Sequence, residues 1–321
     1  MRAISTSTTP HARSWLAIFA GSFSLILLIL AGLIFAIRDQ LPPPKFSSNL
    51  SLNEKIRWAR PHLQRGACEG LVLGSSIALN NVDAQGLSTM TQNNVVNLGI
   101  WGLEIQGSNA LLGNILSICK PKLILLPIYY GDFAGSADGA GAEMQSIDAY
   151  LRDKIGHDLL HYARHGDLFG LWRNYRSLKR NRALGGTSYQ NLAYDRGGSA
   201  LLNCEGFARD PQRWDGYRRR NAVFDRKTQN DFEIMLERLQ KLGIKTIIAE
   251  TPMRGVARDF LAEPLNNWRQ TIAKTAAERG ALFLPPPSDF GDAFFADYTH
   301  LNACGAQAWT RLIAQQAKLI P

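Results

Sequence analysis

Leu71-Val72-Leu73-Gly74-Ser75-Ser76 is a run of three apolar residues closed by Gly-Ser-Ser. Such a run reads as a short buried strand ending in a tight turn. A second stretch, Asp297-Tyr298-Thr299-His300-Leu301-Asn302, sets a carboxylate three residues before an imidazole, just ahead of the last helical segment. Together the two stretches hold a serine, a base and a carboxylate able to orient the base. Each is weak alone. Gly-Ser-Ser is common in ordinary turns, and an Asp and a His in a loop are common on surfaces.

Working outward, further apolar runs fall at 95–98, 122–128, 245–250 and 281–284, and amphipathic helical segments at 105–119, 225–242 and 303–319. Apolar strands alternating with such helices predict a parallel five-stranded sheet covered on both faces. The expected fold is α/β, a three-layer α/β/α arrangement with the flavodoxin-like strand order 2-1-3-4-5. Ligands in such folds bind beyond the carboxyl ends of the strands. Ser76 follows the first strand and His300 the fifth, so both fall at that edge. Asn97-Leu98-Gly99-Ile100-Trp101-Gly102 follows the second strand. The backbone N–H groups of Ser76 and Gly102 are candidate donors to a developing oxyanion. An ordinary strand-to-helix turn would read the same way.

Ahead of this domain, residues 1–14 are polar and lightly basic, and 15–37 are unbroken apolar, long enough to cross a bilayer. The charge in front favours a cytoplasmic N-terminus. A cleaved signal peptide competes, although its apolar core is normally only about 7–15 residues. Residues 38–66, with Pro42-Pro43-Pro44, read as a stiff stalk followed by a linker helix. That helix is expected to start at the capping-box pattern Ser51-Leu52-Asn53-Glu54 and to end near Pro61. The globular domain then spans 67–321, interrupted by an insertion at 132–222 over the active-site edge.

That insertion carries many of the chain's cations, including Arg173, Arg176, Lys179, Arg180, Arg182, Arg213, Arg218, Arg219 and Arg220. The whole chain, 321 residues long, has a formal charge of +9. A basic insertion either contacts anionic glycan or phospholipid head groups or is simply a solvated face. Nucleic acid does not fit a domain placed outside the cytoplasm. His157, His161 and His165 share one face of a predicted helix, a spacing seen in metal sites and more often in solvated faces. No metal or organic cofactor is expected. Cys68 and Cys119 precede neighbouring strands, so a disulfide at the edge opposite the active site is one reading, with Cys204–Cys304 as the remaining pair. Free buried thiols are the alternative.

With these residues in place, the chain resembles the SGNH/GDSL hydrolase superfamily, especially its membrane-anchored extracytoplasmic branch of DltD-like and alginate O-acetylation proteins. The likeness runs from Leu71 to the C-terminus, apart from the insertion. The family's Gly-Asp-Ser block corresponds to Gly74-Ser75-Ser76, its second-block glycine to Gly102, and its D-x-x-H to Asp297 and His300. His300-Leu301-Asn302 with Gly305 is similar to DltD-type endings. The resemblance implies Ser76, Asp297 and His300 as catalytic residues, with Ser76 and Gly102 binding the oxyanion. It departs at the third block, where Gly131 stands in place of an asparagine donor. Losing such a donor can cost about 10²–10³ in rate. What the resemblance implies is a single-pass inner-membrane protein with a periplasmic domain. Its expected activity is that of a serine acyl esterase or O-acyltransferase on a cell-envelope glycan or acylated polymer, with a polytopic membrane O-acyltransferase as acyl source. A catalytically degenerate glycan-binding or assembly protein is the alternative, and a plain secreted esterase a third.

Overall fold

The computed structural model describes residues 10–36, 45–64, 68–134, 143–152, 168–205 and 225–320. Strands β1 (Gly70–Val72), β2 (Val95–Asn97), β3 (Leu123–Ile128), β4 (Lys245–Glu250) and β5 (Leu282–Leu284) form one parallel sheet in the order β2-β1-β3-β4-β5. This is the expected α/β architecture, with strand ends moved by a residue or so. The described helices are α1 (Pro10–Ala36), α2 (Leu50–Gln64), α3 (Ser76–Asn81), α4 (Ala84–Thr91), α5 (Ile105–Leu116), α6 (Met144–Arg152), α7 (Leu168–Ala183), α8 (Arg226–Lys241), α9 (Gly255–Phe260), α10 (Ala262–Glu278) and α11 (Ala303–Gln316).

Side chains alternate across a strand, so a sheet buried on both sides feeds two cores. Leu123 and Leu125 of β3 and Ile247 and Ala249 of β4 face one core, shared with Trp309 and Ile313 of α11. Ile124, Leu126, Ile128 and Ile248 face the other, shared with α2, α5, α6, α8 and α10. That two-sided burial explains the near-continuous apolar reading of 122–128.

Helix α2 differs from the expected stalk element. Its cap is Asn49, whose Oδ1 accepts from the Ser51 and Leu52 amides at 2.9 and 3.2 Å. Ser51 lies inside the helix, and its Oγ accepts from the Trp101 amide at 3.2 Å. The helix also runs past Pro61 to Gln64. Its apolar face, Leu52, Ile56, Ala59 and Leu63, is fully buried in the core, which fixes it regardless of the local capping pattern.

Helices α3, α4, α9 and α10 have no counterpart in the sequence reading. Asn80-Asn81 and Asp83 look like breakers, and Pro264 with Asn266-Asn267 obscures the start of α10. Packing of Leu265, Trp268 and Ile272 onto the sheet supplies what local pattern hides.

Both cysteine pairs are bonded, Cys68–Cys119 with Cα atoms 6.2 Å apart and Cys204–Cys304 at 5.2 Å. Among the described residues one helix is long and apolar enough to cross a membrane. Its window Ser14–Leu33 has mean hydropathy 2.5 and nothing buried. His157, His161, His165, Arg213, Arg218, Arg219 and Arg220 lie outside the described residues. Within α7, Arg173, Arg176, Lys179 and Arg180 are exposed, and Arg182 pairs with Glu54 of α2.

Candidate active site

The first turn of α3 begins at Ser76. Ser75 caps it, its Oγ accepting from the Ile77 amide at 3.3 Å. This leaves Ser76 at the carboxyl end of β1 with its hydroxyl free to face the fifth-strand side. There the chain makes a small hairpin. Phe295 bridges Leu301, and the Ala296 amide donates to the His300 carbonyl at 2.8 Å. Asp297 sits inside this hairpin, with Oδ1 accepting from the backbone amides of Thr299 (3.0 Å) and His300 (2.7 Å). The same carboxylate meets His300 Nδ1 at 2.9 Å through Oδ2. His300 Nε2 lies 2.9 Å from Ser76 Oγ.

The carboxylate only accepts, so Nδ1 carries the hydrogen. Nε2 then offers its lone pair to the serine hydroxyl. Three residues chosen from sequence, two of them more than two hundred positions from the first, thus form one continuous hydrogen-bonded chain. The Asp297 side chain is 3% exposed and that of His300 12%, so the pair is shielded, while Ser76 is half-buried.

Sequence reasoning missed the residue that sets this distance. Asn81, fully buried at the end of α3, donates to Thr251 Oγ1 and to the Thr299 carbonyl, both at 2.8 Å, and accepts from the Leu301 amide at 2.8 Å. It clamps the serine helix to the histidine hairpin. The signal available in sequence was a polar pair, Asn80-Asn81, at the end of an otherwise apolar segment.

Gly102 adopts a positive φ of 62° in the turn after β2, a conformation glycine takes at little cost. Neighbouring Trp101 is held from α2. Asn49 Nδ2 donates to its carbonyl at 2.6 Å, and Ser51 Oγ accepts from its amide. Neither the Ser76 nor the Gly102 amide has a hydrogen-bond partner among the described residues. Asn97, at the end of β2, braces the same edge through the Ala78 carbonyl (2.7 Å) and the Gly99 amide (2.8 Å).

The third-block position is occupied differently. Tyr130–Phe133 is a 3-10 turn, and a Cβ built on Gly131 would run into the ring of Tyr129. No side-chain amide fits there while that ring stays in place. The Leu-Asn and glycine after His300 have structural roles. Asn302 caps α11 by accepting from the Gly305 amide at 2.9 Å, and a Cβ on Gly305 would collide with the Phe294 carbonyl.

Hollows lie beside the site among the described residues. A groove of about 860 Å³ starts at Tyr189, whose ring centre lies 5.7 Å from that of His300, and passes Asp297 and Ala303. A smaller cavity of about 170 Å³ lies beyond β4. Its main charged pair is internal. Arg269 grips Glu250 in a fork with both contacts at 2.6 Å, and burial nevertheless raises the Glu250 pKa.

Behind the site, Lys55 is fully buried on α2. Its Nζ donates to the carbonyls of Asn97 (3.3 Å) and Gly198 and lies 3.7 Å from the centre of the Tyr194 ring. Burial pulls its pKa down to about 7, while Asp195 and Glu54 push the other way. It pins the insertion to the base of the β2 turn.

No protein-family profile matches the chain, and no curated protein matches it. Among solved structures it is similar to a protein described as lipolytic and of the G-D-S-L family, from Desulfitobacterium hafniense DCB-2. The identity is 12% and the TM-score 0.41, over 77% of this chain and 97% of that one.

Proposed function

We propose that this protein is an SGNH-type serine acyl esterase or O-acyltransferase, anchored in the membrane by α1, whose globular domain acts outside the cytoplasm on a cell-envelope glycan. The observation that supports this most is the chain from Ser76 Oγ to His300 Nε2 and from His300 Nδ1 to Asp297. In the first half-reaction the Ser76 proton passes to His300 Nε2, and Oγ bonds to the acyl carbon of an ester or thioester donor. The Ser76 and Gly102 amides stabilise the oxyanion. The donor's leaving group departs with the proton from His300. In the second half-reaction a sugar hydroxyl or water gives its proton to His300, attacks the acyl carbon and releases Ser76, whose Oγ recovers the proton.

Two disulfides fit an oxidising compartment, and the apolar α1 fits a membrane anchor. A polytopic membrane O-acyltransferase is the acyl source this reading implies. The Gly131 turn favours a second reading, a glycan-binding protein that no longer turns over, because glycine supplies no side-chain oxyanion donor there and the Tyr129 ring occupies the adjacent space.

The test is intact mass of the full-length protein in detergent after treatment with a fluorophosphonate, beside Ser76→Ala and His300→Ala variants. A single adduct mapped to Ser76, absent from both variants, is expected. An unlabelled wild-type protein beside a labelled control hydrolase would remove the activated serine and leave the binding reading.

A further inference from the structure

We propose that Asn49 is a positioning residue for the reaction: its side-chain amide fixes the peptide between Trp101 and Gly102 and so aims the Gly102 N–H at the developing oxyanion. The effect on rate rests on the acyl-serine reading above. The hold on the turn does not.

The turn is Ile100-Trp101-Gly102-Leu103, closed by the Leu103 amide donating to the Ile100 carbonyl at 3.1 Å. Gly102 has a φ of 62° and Trp101 keeps a negative φ, which makes it a type II turn. It stands beside the serine strand, because the Ile100 amide donates to the Gly74 carbonyl at 3.1 Å. Types II and I differ by a half-rotation of the central peptide, here the one joining Trp101 to Gly102. Glycine at the third position permits both. A trans peptide is planar, with its C=O and N–H pointing in opposite directions. Whatever holds the Trp101 carbonyl therefore aims the Gly102 N–H, and a flip would turn that donor to the other side.

Asn49 supplies the hold. Its Nδ2 donates to the Trp101 carbonyl at 2.6 Å. Ser51 Oγ accepts from the Trp101 amide at 3.2 Å, so the start of α2 grips this residue by both its backbone groups. Asn49 is itself pinned. Its Oδ1 accepts from the Ser51 and Leu52 amides, and its own amide donates to Ser47 Oγ at 3.0 Å. The segment ahead is fixed in turn, with the Phe46 and Ser47 amides donating to Asn53 Oδ1 at 2.9 and 3.1 Å. One side chain thus spends its oxygen on the helix and its nitrogen on the turn. A donor aimed before the substrate arrives needs no reorganisation during the reaction.

Substitution separates the two contacts. Aspartate caps a helix as well as asparagine does, and its charge suits a helix N-terminus. It nevertheless puts an oxygen where Nδ2 meets the Trp101 carbonyl, and two acceptors repel. Asn49→Asp therefore keeps the cap and releases the turn. Asn49→Ser also keeps a capping oxygen and is too short to reach the carbonyl.

The experiment is steady-state hydrolysis of 4-nitrophenyl acetate by the full-length protein in detergent, with amide hydrogen exchange read across 100–104. Both variants should keep the wild-type thermal midpoint. Their kcat should fall at least about tenfold, a part of what losing an oxyanion donor outright costs. KM should stay unchanged, as for an interaction made only in the transition state. Exchange at the Trp101 and Leu103 amides should quicken. A wild-type kcat in Asn49→Asp, or a rise in KM alone, would overturn the proposal and leave Asn49 a helix cap. Unchanged exchange would overturn the hold on the turn. Fluorophosphonate labelling separates the two ideas. A wild type that neither turns over nor labels defeats the acyl-serine reading and the rate effect with it. A labelled wild type whose Asn49→Asp variant labels equally fast defeats only the role of Asn49.

Discussion

The two disulfides close opposite edges of the same sheet, and they do different things there. Cys68–Cys119 joins the segments entering β1 and β3, at the amino edge, where the surroundings are core and backbone hydrogen bonds. Cys204–Cys304 joins the insertion to α11 at the carboxyl edge, where Ser76, His300 and the groove lie. A covalent link at the amino edge acts mainly on the unfolded chain. The same link at the carboxyl edge also fixes where the insertion stands beside the candidate site. An identical bond therefore carries different information depending on which end of the strands it closes.

The largest expected effect tests whether the carboxyl edge is chemical at all. Asp297→Asn leaves the hairpin's shape but presents the wrong hydrogen-bonding partner to His300 Nδ1. Turnover of a small aryl ester, or fluorophosphonate labelling rate, should fall by about 10⁴-fold, as in serine triads generally. The thermal midpoint should move little. If activity survived within tenfold, the edge would be structural like its opposite, and the distinction would collapse.

Replacing each cysteine pair by serines tests the distinction directly. Either loss should cost about 2–4 kcal/mol of stability, read from denaturant midpoints. Only loss of Cys204–Cys304, which ties the insertion to the helix after His300, should also slow fluorophosphonate labelling of Ser76 at a temperature where both proteins remain folded. Equal effects of the two pairs on labelling would show that the edges do not differ in this way.

The smallest effect sharpens the comparison, because Lys55 lies at the carboxyl edge yet acts on stability. Its folded pKa, about 7, is far below the usual lysine value near 10.4. The unfolded chain therefore binds the extra proton between these values, and stability should rise with pH across that window. The contribution is complete above the unfolded value and is lost as pH falls through about 7. Between pH 7 and 8 the gain should be about 1 kcal/mol. Lys55→Met should flatten that slope in pH-dependent denaturant melts, and an unchanged slope would assign it to another group.

Much of this was legible because its causes are local. Residues 122–128 read as a buried strand because a strand covered on both faces cannot carry polar side chains on either. Asp297 and His300 read as a pair because three residues of a tight hairpin bring carboxylate and ring together, and no distant part of the chain is needed for that contact. Ser51 misled for the converse reason. Its Ser-x-x-Glu pattern matches a capping box, but burial of α2 gave the cap to Asn49 and turned Ser51 towards Trp101.

By itself, then, the sequence determined the alternation of strands and helices, the strands that the serine and histidine follow, and an apolar helix ahead of the domain. These follow from periodicity, chain order and length, which are properties of the chain as a line, whereas the strand order came from likeness to a known fold type. Only the tertiary structure decided that Asn81 clamps α3 to the histidine hairpin, that the ring of Tyr129 fills the space beside Gly131, and that Tyr189 stands next to His300. Each joins residues far apart in the chain or depends on where one side chain turns. Such contacts are selected by the packing of the whole molecule, and no local pattern encodes them.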